Sequence, residues 1–218
     1  MSKRTIILAT RNRHKVDELR ALLGGGIAWL NLTDFPAAPA IIEDATTFEG
    51  NAAKKAVGLA EHLRAVGYPS PGVFVLADDS GLEVDALGGA PGVYSARFAY
   101  LDTGEQGNAP DRLNNAKLLQ QLGKLPAAQH TARFRCVLAL QPLGDPKSPL
   151  PKPIVFDGKC EGSILSAPQG EAGFGYDPLF VPHGYTESFA QLGEAVKNSL
   201  SHRGHAAKLL AVWLSSNR

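Results

Sequence analysis

Hydrophobic and polar positions follow two different periods along the chain, and together they indicate an α/β protein. Apolar and β-branched residues run together at 5–10, and apolar residues then recur at helical spacing over 16–23 until glycines 24–26 end the pattern. A second strand is predicted near 27–32, and a long alanine-rich helix at about 46–65. The N-terminal part of the chain therefore predicts the order β-α-β-α.

The middle of the chain predicts a buried strand that runs directly into acidic residues. Residues 73–77 are apolar and lead into Asp78-Asp79-Ser80-Gly81, where a turn is expected before a second short strand near 82–87. Residues 88–108 are typical of a loop, and 110–123 of a helix. Acidic residues are thus expected at the carboxyl end of a strand.

The last part of the chain predicts an antiparallel extension of the sheet followed by a helical end. The pattern as a whole predicts α/β class with a central mixed β-sheet flanked by helices, as one domain over 1–218 with two lobes that are not contiguous in sequence. A cleft between the lobes is the expected ligand site. The elements are strands at 131–140 and 153–161, a glycine-rich turn at 170–175 leading into 176–181, and helices near 187–197 and 202–216.

Composition is typical of a globular protein, and the charge is nearly balanced. The 218 residues are 44% hydrophobic and 20% charged with a net charge of +1, which argues against duplex nucleic acid or an anionic membrane surface as the partner. Six cations and two acids occupy residues 1–20, and four cations and no acid occupy 195–218, so the middle is acidic. The two cysteines lack metal-site spacing, and no apolar run approaches a membrane span, so we expect a soluble cytoplasmic protein.

The segment Thr10-Arg11-Asn12-Arg13-His14-Lys15 is a candidate phosphate site. It follows the first predicted strand and opens the first helix, where unpaired backbone N–H groups and the positive helix end favour an anion. The alternative is a solvated basic helix start with Asn12 near the cap. The GxxxxGK[ST] pattern is absent, which argues against P-loop chemistry.

Asp78 and Asp79 are candidate metal ligands. Successive strand residues face opposite sides, so two carboxylates share one ion only if the strand turns there, and the following Ser-Gly makes a turn plausible. Oxygen ligands of this kind suit Mg²⁺, and Glu43 would add a third carboxylate from a loop. The alternatives are a plain turn and a solvated loop acid.

Two further segments have the chemistry to recognise a planar, carbonyl-bearing ligand. Residues 173–178, Gly-Phe-Gly-Tyr-Asp-Pro, combine flexible backbone with two aromatic rings that would stack on a base, although a tight turn with core aromatics is the alternative. Ser201 is a natural N-cap for the last helix, and His202 and Arg203 would be donors in its first turn.

Taken together and in order, these segments resemble the inosine triphosphate pyrophosphatase (Ham1-like) family. One departure is that Gly50 stands where the family usually has Glu, with Glu49 one position earlier. The matching motifs are Thr10-x-Asn12-x-x-Lys15, Thr47-Phe48-x-x-Asn51-Ala-x-x-Lys55-Ala56, Ala77-Asp-Asp-Ser-Gly-Leu82, Gly88-Gly-Ala-Pro-Gly-Val-Tyr-Ser-Ala-Arg97, Gly173-Phe-Gly-Tyr-Asp-Pro178, Lys197 and Ser201-His-Arg-Gly204.

The resemblance implies hydrolysis of ITP, dITP and XTP between the α and β phosphates, which would remove deaminated purines from the nucleotide pool. It also implies an elongated two-lobed fold with the active site in the interlobe cleft, dependence on Mg²⁺, and a homodimer without stable nucleic-acid or membrane partners. The implied residues are Asp79 as the catalytic proton acceptor, Glu43, Asp78 and Asp79 at the metal, and Thr10, Arg11, Asn12, Arg13, His14, Lys15, Lys55, Ser80, Phe174, Gly175, Tyr176, Asp177, Lys197, His202 and Arg203 at the substrate.

Two alternatives stay open at this point. A related enzyme could act on modified pyrimidine triphosphates instead of purines. A non-catalytic nucleotide-binding or RNA-binding module would also use basic termini and an aromatic loop, but Glu43, Asp78 and Asp79 would repel phosphate unless a metal intervened.

Overall fold

The computed structural model describes residues 4–123, 125–126 and 129–217, so Lys3 and Arg218 of the basic termini lie outside the described residues. Strands and helices alternate through the N-terminal half, as the hydrophobic pattern predicts. The strands are β1 (Arg4–Leu8), β2 (Ile27–Asn31), β3 (Val73–Val84), β4 (Thr131–Pro142), β5 (Ile154–Ile164) and β6 (Phe180–Pro182), and the helices are α1 (Arg13–Leu23), α2 (Phe48–Ala65), α3 (Asp111–Leu122), α4 (Phe189–Leu200) and α5 (His202–Ser216).

The six strands form one sheet in the order β2-β1-β3-β4-β5-β6. β1 pairs in parallel with both β2 and β3, whereas β6 pairs antiparallel with β5. The sheet is therefore mixed, and the predicted α/β class with a central mixed sheet is confirmed.

The chain divides into two compact units, neither of which is contiguous in sequence. In unit 1 the apolar side chains at the end of β1, Leu19 of α1 and Leu63 of α2 are all fully buried. In unit 2 the core is aromatic, with the rings of Phe134 and Phe180 4.7 Å apart and Phe189 beside them. Unit 1 comprises the described residues of Met1–Asp79, Val137–Asp157 and Ala206–Arg218, and unit 2 those of Ser80–Cys136 and Gly158–His205.

The turn predicted at residues 78–81 is wrong, because β3 continues through them to Val84. Of the short strand predicted near 82–87, residues 82–84 are the end of β3, and Asp85–Leu87 form a short 3-10 helix instead. Gly81 is needed for close packing and not for a turn: a Cβ there would lie 2.3 Å from Ser95 Oγ. The Ser95 hydroxyl accepts a hydrogen bond from the Leu82 N–H at 2.9 Å. A pattern of turn-forming residues therefore marks a place where another segment approaches the strand.

The N-cap residue explains where helix α2 begins. α2 begins at Phe48, two positions after the predicted start, because Thr47 is the N-cap and its Oγ1 accepts from the Gly50 N–H at 3.1 Å. Gly50 also packs closely, since a Cβ there would lie 2.7 Å from the Ala45 Cβ. Within the described residues, every helix is too short or too polar to cross a membrane.

Candidate active site

The N-terminus of α1 presents backbone donors and cations, as the sequence predicts. Asn12 is its N-cap: Asn12 Oδ1 accepts from the Lys15 N–H at 3.3 Å, and Thr10 Oγ1 accepts from the Asn12 N–H at 3.1 Å. Residues 11–14 are exposed, and the first turn holds no acidic residue. Because the helix dipole and the cations have the same sign here, this end of α1 suits a polyanion.

Asp78 and Asp79 lie in the middle of β3 and have different lysine partners. As neighbours in an extended strand, their side chains leave on opposite faces. Asp78 Oδ1 accepts a hydrogen bond from Lys15 Nζ of α1 at 2.5 Å, and its side chain is 1% exposed. The strand therefore separates the two carboxylates that the expected turn would have brought together.

Lys55 of α2 joins three groups of unit 1. Its Nζ donates to Glu43 Oε2 at 2.7 Å, to the Asp78 carbonyl at 2.9 Å and to Asp79 Oδ1 at 3.1 Å. Burial acts to lower the pKa of Lys55, but the charges of Asp79 and Glu43 outweigh it and the pKa is raised. The ammonium therefore stays protonated between its two carboxylates.

One carboxylate oxygen of Asp79 lacks a hydrogen-bond donor among the described residues. Its Oδ2 is buried and accepts no hydrogen bond from any residue that the structure describes, although Oδ1 is held by Lys55. Burial raises the pKa of Asp79, against the lowering charges of Lys55 and Lys15. A buried carboxylate oxygen in this state is costly unless a cation or proton donor reaches it.

These groups fit a divalent cation. Glu43 and Asp79 share one hydrogen-bonding neighbour, and their carboxylate oxygens are ligands that Mg²⁺ prefers. In the part of the chain that the structure describes, no three Asp, Glu, His or Cys side chains gather as a ready-made ion site. The fit therefore rests on two carboxylates and the buried Asp79 Oδ2, with substrate oxygens and water left to complete the shell.

The glycine-rich loop of unit 2 is held by a buried ion pair. Asp177 Oδ2 accepts from Lys197 Nζ at 2.7 Å and from the Phe174 N–H at 2.9 Å, and both charged side chains are almost fully buried. Gly173 has a φ of +79°, and a Cβ there would lie 2.2 Å from Asp177 Oδ2. Glycine is required at this position because both the backbone conformation and the space exclude a side chain.

Cations lie against the ring of Phe174. Lys197 Nζ is 4.6 Å and Arg203 Cζ is 5.9 Å from its centroid. Arg203 is 1% exposed, and its Nη2 donates to Ser80 Oγ at 2.9 Å. Ser80, Phe174, Asp177, Lys197 and Arg203 thus form one connected polar and aromatic cluster in unit 2.

The start of α5 follows the sequence prediction. Ser201 Oγ accepts from the Gly204 N–H at 3.0 Å, which confirms Ser201 as the N-cap. His202 is buried and stacks on Phe134, with ring centroids 4.7 Å apart and planes at 13°. The imidazole therefore has a fixed orientation in the first turn.

The sequence predicts that both aromatic rings of this loop would stack on a bound base, but the structure places the Tyr176 ring elsewhere. Its ring belongs to the unit 2 core, and its hydroxyl donates to the Ser95 carbonyl at 2.9 Å. Phe174 is half-buried, so it alone of the two rings has a partly accessible face. The alternative of a core aromatic in the loop is right for Tyr176.

Contacts from α3 to the loop were missed by the sequence analysis. Asp111 Oδ2 accepts from the Gly175 N–H at 2.6 Å, and Asn115 Nδ2 donates to the Gly175 carbonyl at 3.1 Å. Asp111 and Asn115 lie four positions apart on a helix with several other polar residues, so the sequence alone singles out neither them nor their partner.

Comparisons with known proteins cover nearly the whole chain. A sequence model of the Ham1 family matches residues 6–213. The dITP/XTP pyrophosphatase of Desulforamulus reducens is 48% identical over 204 residues, which cover 93% of this chain and 92% of that protein. The dITP/XTP pyrophosphatase of Geobacter sulfurreducens is 46% identical over 206 residues, 94% of each. The solved structure of a HAM1 protein from Coxiella burnetii matches with a TM-score of 0.80 at 36% identity, over 98% of this chain and 99% of that one.

Proposed function

Because this chain belongs to the Ham1 family, we propose that it hydrolyses non-canonical purine nucleoside triphosphates to the monophosphate and pyrophosphate. ITP, dITP and XTP are the substrates, and their removal keeps deaminated purines out of nucleic acids. Relatives bearing the name dITP/XTP pyrophosphatase align with almost the whole chain. The observation that carries the proposal is the buried, unpartnered Asp79 Oδ2 beside Lys55 and Glu43.

Unit 1 supplies the groups for the triphosphate. Phosphoryl transfer depends mainly on positioning and charge neutralisation, which cations and backbone N–H groups provide. Residues 10–15 offer both at the start of α1, and Lys55 adds a buried ammonium. By the family resemblance, Asp79 is the proton acceptor for the attacking water, and its burial, which raises its pKa, suits that role.

The metal of this proposal is Mg²⁺, held by Glu43 and Asp79. When bound, Mg²⁺ would neutralise phosphate charge and lower the pKa of a water ligand. Asp78 lies one residue away and is paired with Lys15, so its part is to hold that lysine near the start of α1 and to add negative charge around the ion.

Unit 2 supplies the groups for the base. A 6-oxo purine presents O6 and N7 as acceptors, whereas adenine presents an amino group at position 6. With His202 and Arg203 both acting as donors, adenine would leave a buried donor unpaired at a cost of about 1–3 kcal/mol. Phe174 offers a ring for stacking, and the backbone at Gly175 and Tyr176, with Ser80, Asp177 and Lys197, completes the substrate contacts.

A pyrophosphate-release panel with ITP, dITP, XTP, GTP and ATP, with and without Mg²⁺, tests the proposal. We expect turnover of the first three, weak turnover of GTP and ATP, and no turnover after chelation. Adding dUTP and dTTP separates the pyrimidine alternative, because a higher kcat/KM for either would favour it. Nucleotide binding without any pyrophosphate release would instead identify a binding module.

The same proposal includes a homodimer that works on the free nucleotides of the cytoplasm. Both ideas rest on the family resemblance. Light scattering of the purified protein in solution tests the dimer, and fractionation of the source cells tests the location.

A further inference from the structure

Helix α3 holds both polar groups of a single residue in the glycine-rich loop. Asp111 accepts from the Gly175 N–H at 2.6 Å, and Asn115 donates to the Gly175 carbonyl at 3.1 Å. The two side chains are four positions apart and therefore lie on the same face of the helix, the face that is turned towards the loop. Together they fix the orientation of the two peptide groups that flank Gly175.

The space beside the Gly175 Cα is open. Gly175 has a φ of +64°, and among the described residues nothing outside its two chain neighbours lies within 4 Å of the position that a Cβ would take. A cavity of about 400 Å³ adjoins it, lined by residues of α3 and by loop residues including Gly173, Phe174 and Gly175. The peptide groups on either side of the glycine are therefore held by hydrogen bonds: the two from α3, and one within the loop from the Asp177 N–H to the Phe174 carbonyl at 3.3 Å.

The neighbours of Gly175 are the groups assigned to the base. Phe174 precedes it and lies against Lys197 and Arg203, while Asp177 follows two positions later and binds Lys197. Tyr176 is anchored in the core, whereas Phe174 is only half-buried and is held through its backbone by Asp177, so rotation of the Gly175 peptide groups would move Phe174 more than Tyr176.

We propose that Asp111 and Asn115 are positioning residues that set the ring of Phe174 for the base and thereby determine base affinity and discrimination. This inference rests on the proposed function, because it concerns the same substrate. Neither residue reaches the reacting phosphates in this scheme, so their loss changes KM and base preference more than kcat.

A pair of isosteric substitutions separates hydrogen bonding from bulk. Asn115→Asp keeps the shape but turns a donor into an acceptor that faces the Gly175 carbonyl, so we expect KM for ITP to rise about tenfold or more with kcat within about twofold. Asp111→Asn keeps an oxygen that can accept from the Gly175 N–H, so its KM should rise much less. Asn115→Ala removes the donor without repulsion and should fall between the two.

Matched controls distinguish positioning from a general loss of structure. Gln120→Ala changes an exposed residue of the same helix that does not line the cavity, and its KM should not change. Inhibition by inorganic tripolyphosphate reports the phosphate end alone and should be unchanged in Asn115→Asp. Hydrogen exchange of the peptide that contains Gly175 should become faster in that variant.

The outcomes separate the inference from the proposed function. If the wild-type protein releases pyrophosphate but Asn115→Asp has the wild-type KM and the wild-type preference for ITP over GTP, the positioning role is wrong. Equal losses of kcat and tripolyphosphate affinity in all variants would also overturn it, since they would mark a structural defect. Failure of the wild-type protein to release pyrophosphate from any triphosphate overturns the proposed function itself.

Discussion

Replacing Asp177 by Asn should destabilise the protein strongly, because it removes one charge from a buried ion pair. The side chains of Lys197 and Asp177 are 6% and 3% exposed, and Nζ lies 2.7 Å from Oδ2. Asn has the same shape and can still accept from the Phe174 N–H, so the substitution removes the charge while keeping that contact. The buried lysine then loses this carboxylate.

Breaking a buried pair from one side costs about 3–5 kcal/mol, since the remaining charge keeps its desolvation penalty. For a chain of this length, each kcal/mol lowers Tm by roughly 2–4 °C, so we expect Tm to fall by about 6–20 °C. Thermal melts followed by circular dichroism, together with urea titrations, measure the change in the free energy of unfolding.

Two control variants make the reasoning refutable. Asp102→Asn breaks the Lys117–Asp102 pair of unit 2, whose aspartate is 70% exposed, and should cost less than about 1 kcal/mol. Adding Lys197→Met to Asp177→Asn removes the second charge and should restore much of the lost stability. A shift no larger than that of Asp102→Asn, or a double variant as unstable as Asp177→Asn, would show that the buried charge is not the cause.

Three further outcomes are expected. Asp79→Asn should retain ITP binding in calorimetry but lower kcat for pyrophosphate release about 10²–10⁴-fold, the usual contribution of a general base; kcat within tenfold of wild type would exclude that role. Gly81→Ala should cost about 1–3 kcal/mol in urea unfolding because its Cβ would lie 2.3 Å from Ser95 Oγ, whereas Gly25→Ala, with open space around it, should show no such clash cost. Burial, and then the charge of Glu161, raises the pKa of Cys160 to about 11, so alkylation by iodoacetamide at pH 8 should be far slower in the native protein than in urea; equal rates would contradict the burial.

Local features of the fold could be predicted from the sequence because neighbouring residues determine them. Asn12 and Ser201 cap their helices as expected, since an N-cap needs only its own side chain and the next few N–H groups. The α/β class could also be predicted, because the hydrophobic period of each segment indicates whether that segment is a strand or a helix. The start of α2 differs from the prediction by two residues, because Thr47 is the N-cap of this helix.

Features that depend on distant segments were not predictable in this way. Gly81 has the residue type of a turn, and only the approach of Ser95 explains why a glycine lies inside a strand. The Asp111 and Asn115 contacts join residues that are 64 and 60 positions apart from Gly175 in sequence. In the site, the sequence identified Lys55 as a cation but not that it bridges two carboxylates.

Lysines serve as built-in counter-ions for the acidic residues of unit 1. Three negative charges are carried by Glu43, Asp78 and Asp79. Two positive charges lie in direct contact with them, on the ammonium groups of Lys15 and Lys55. These contacts leave one negative charge in excess among the five side chains. Under the proposed function, this region would therefore fold before any metal ion binds, and the supply of metal would limit catalysis but not the amount of folded protein.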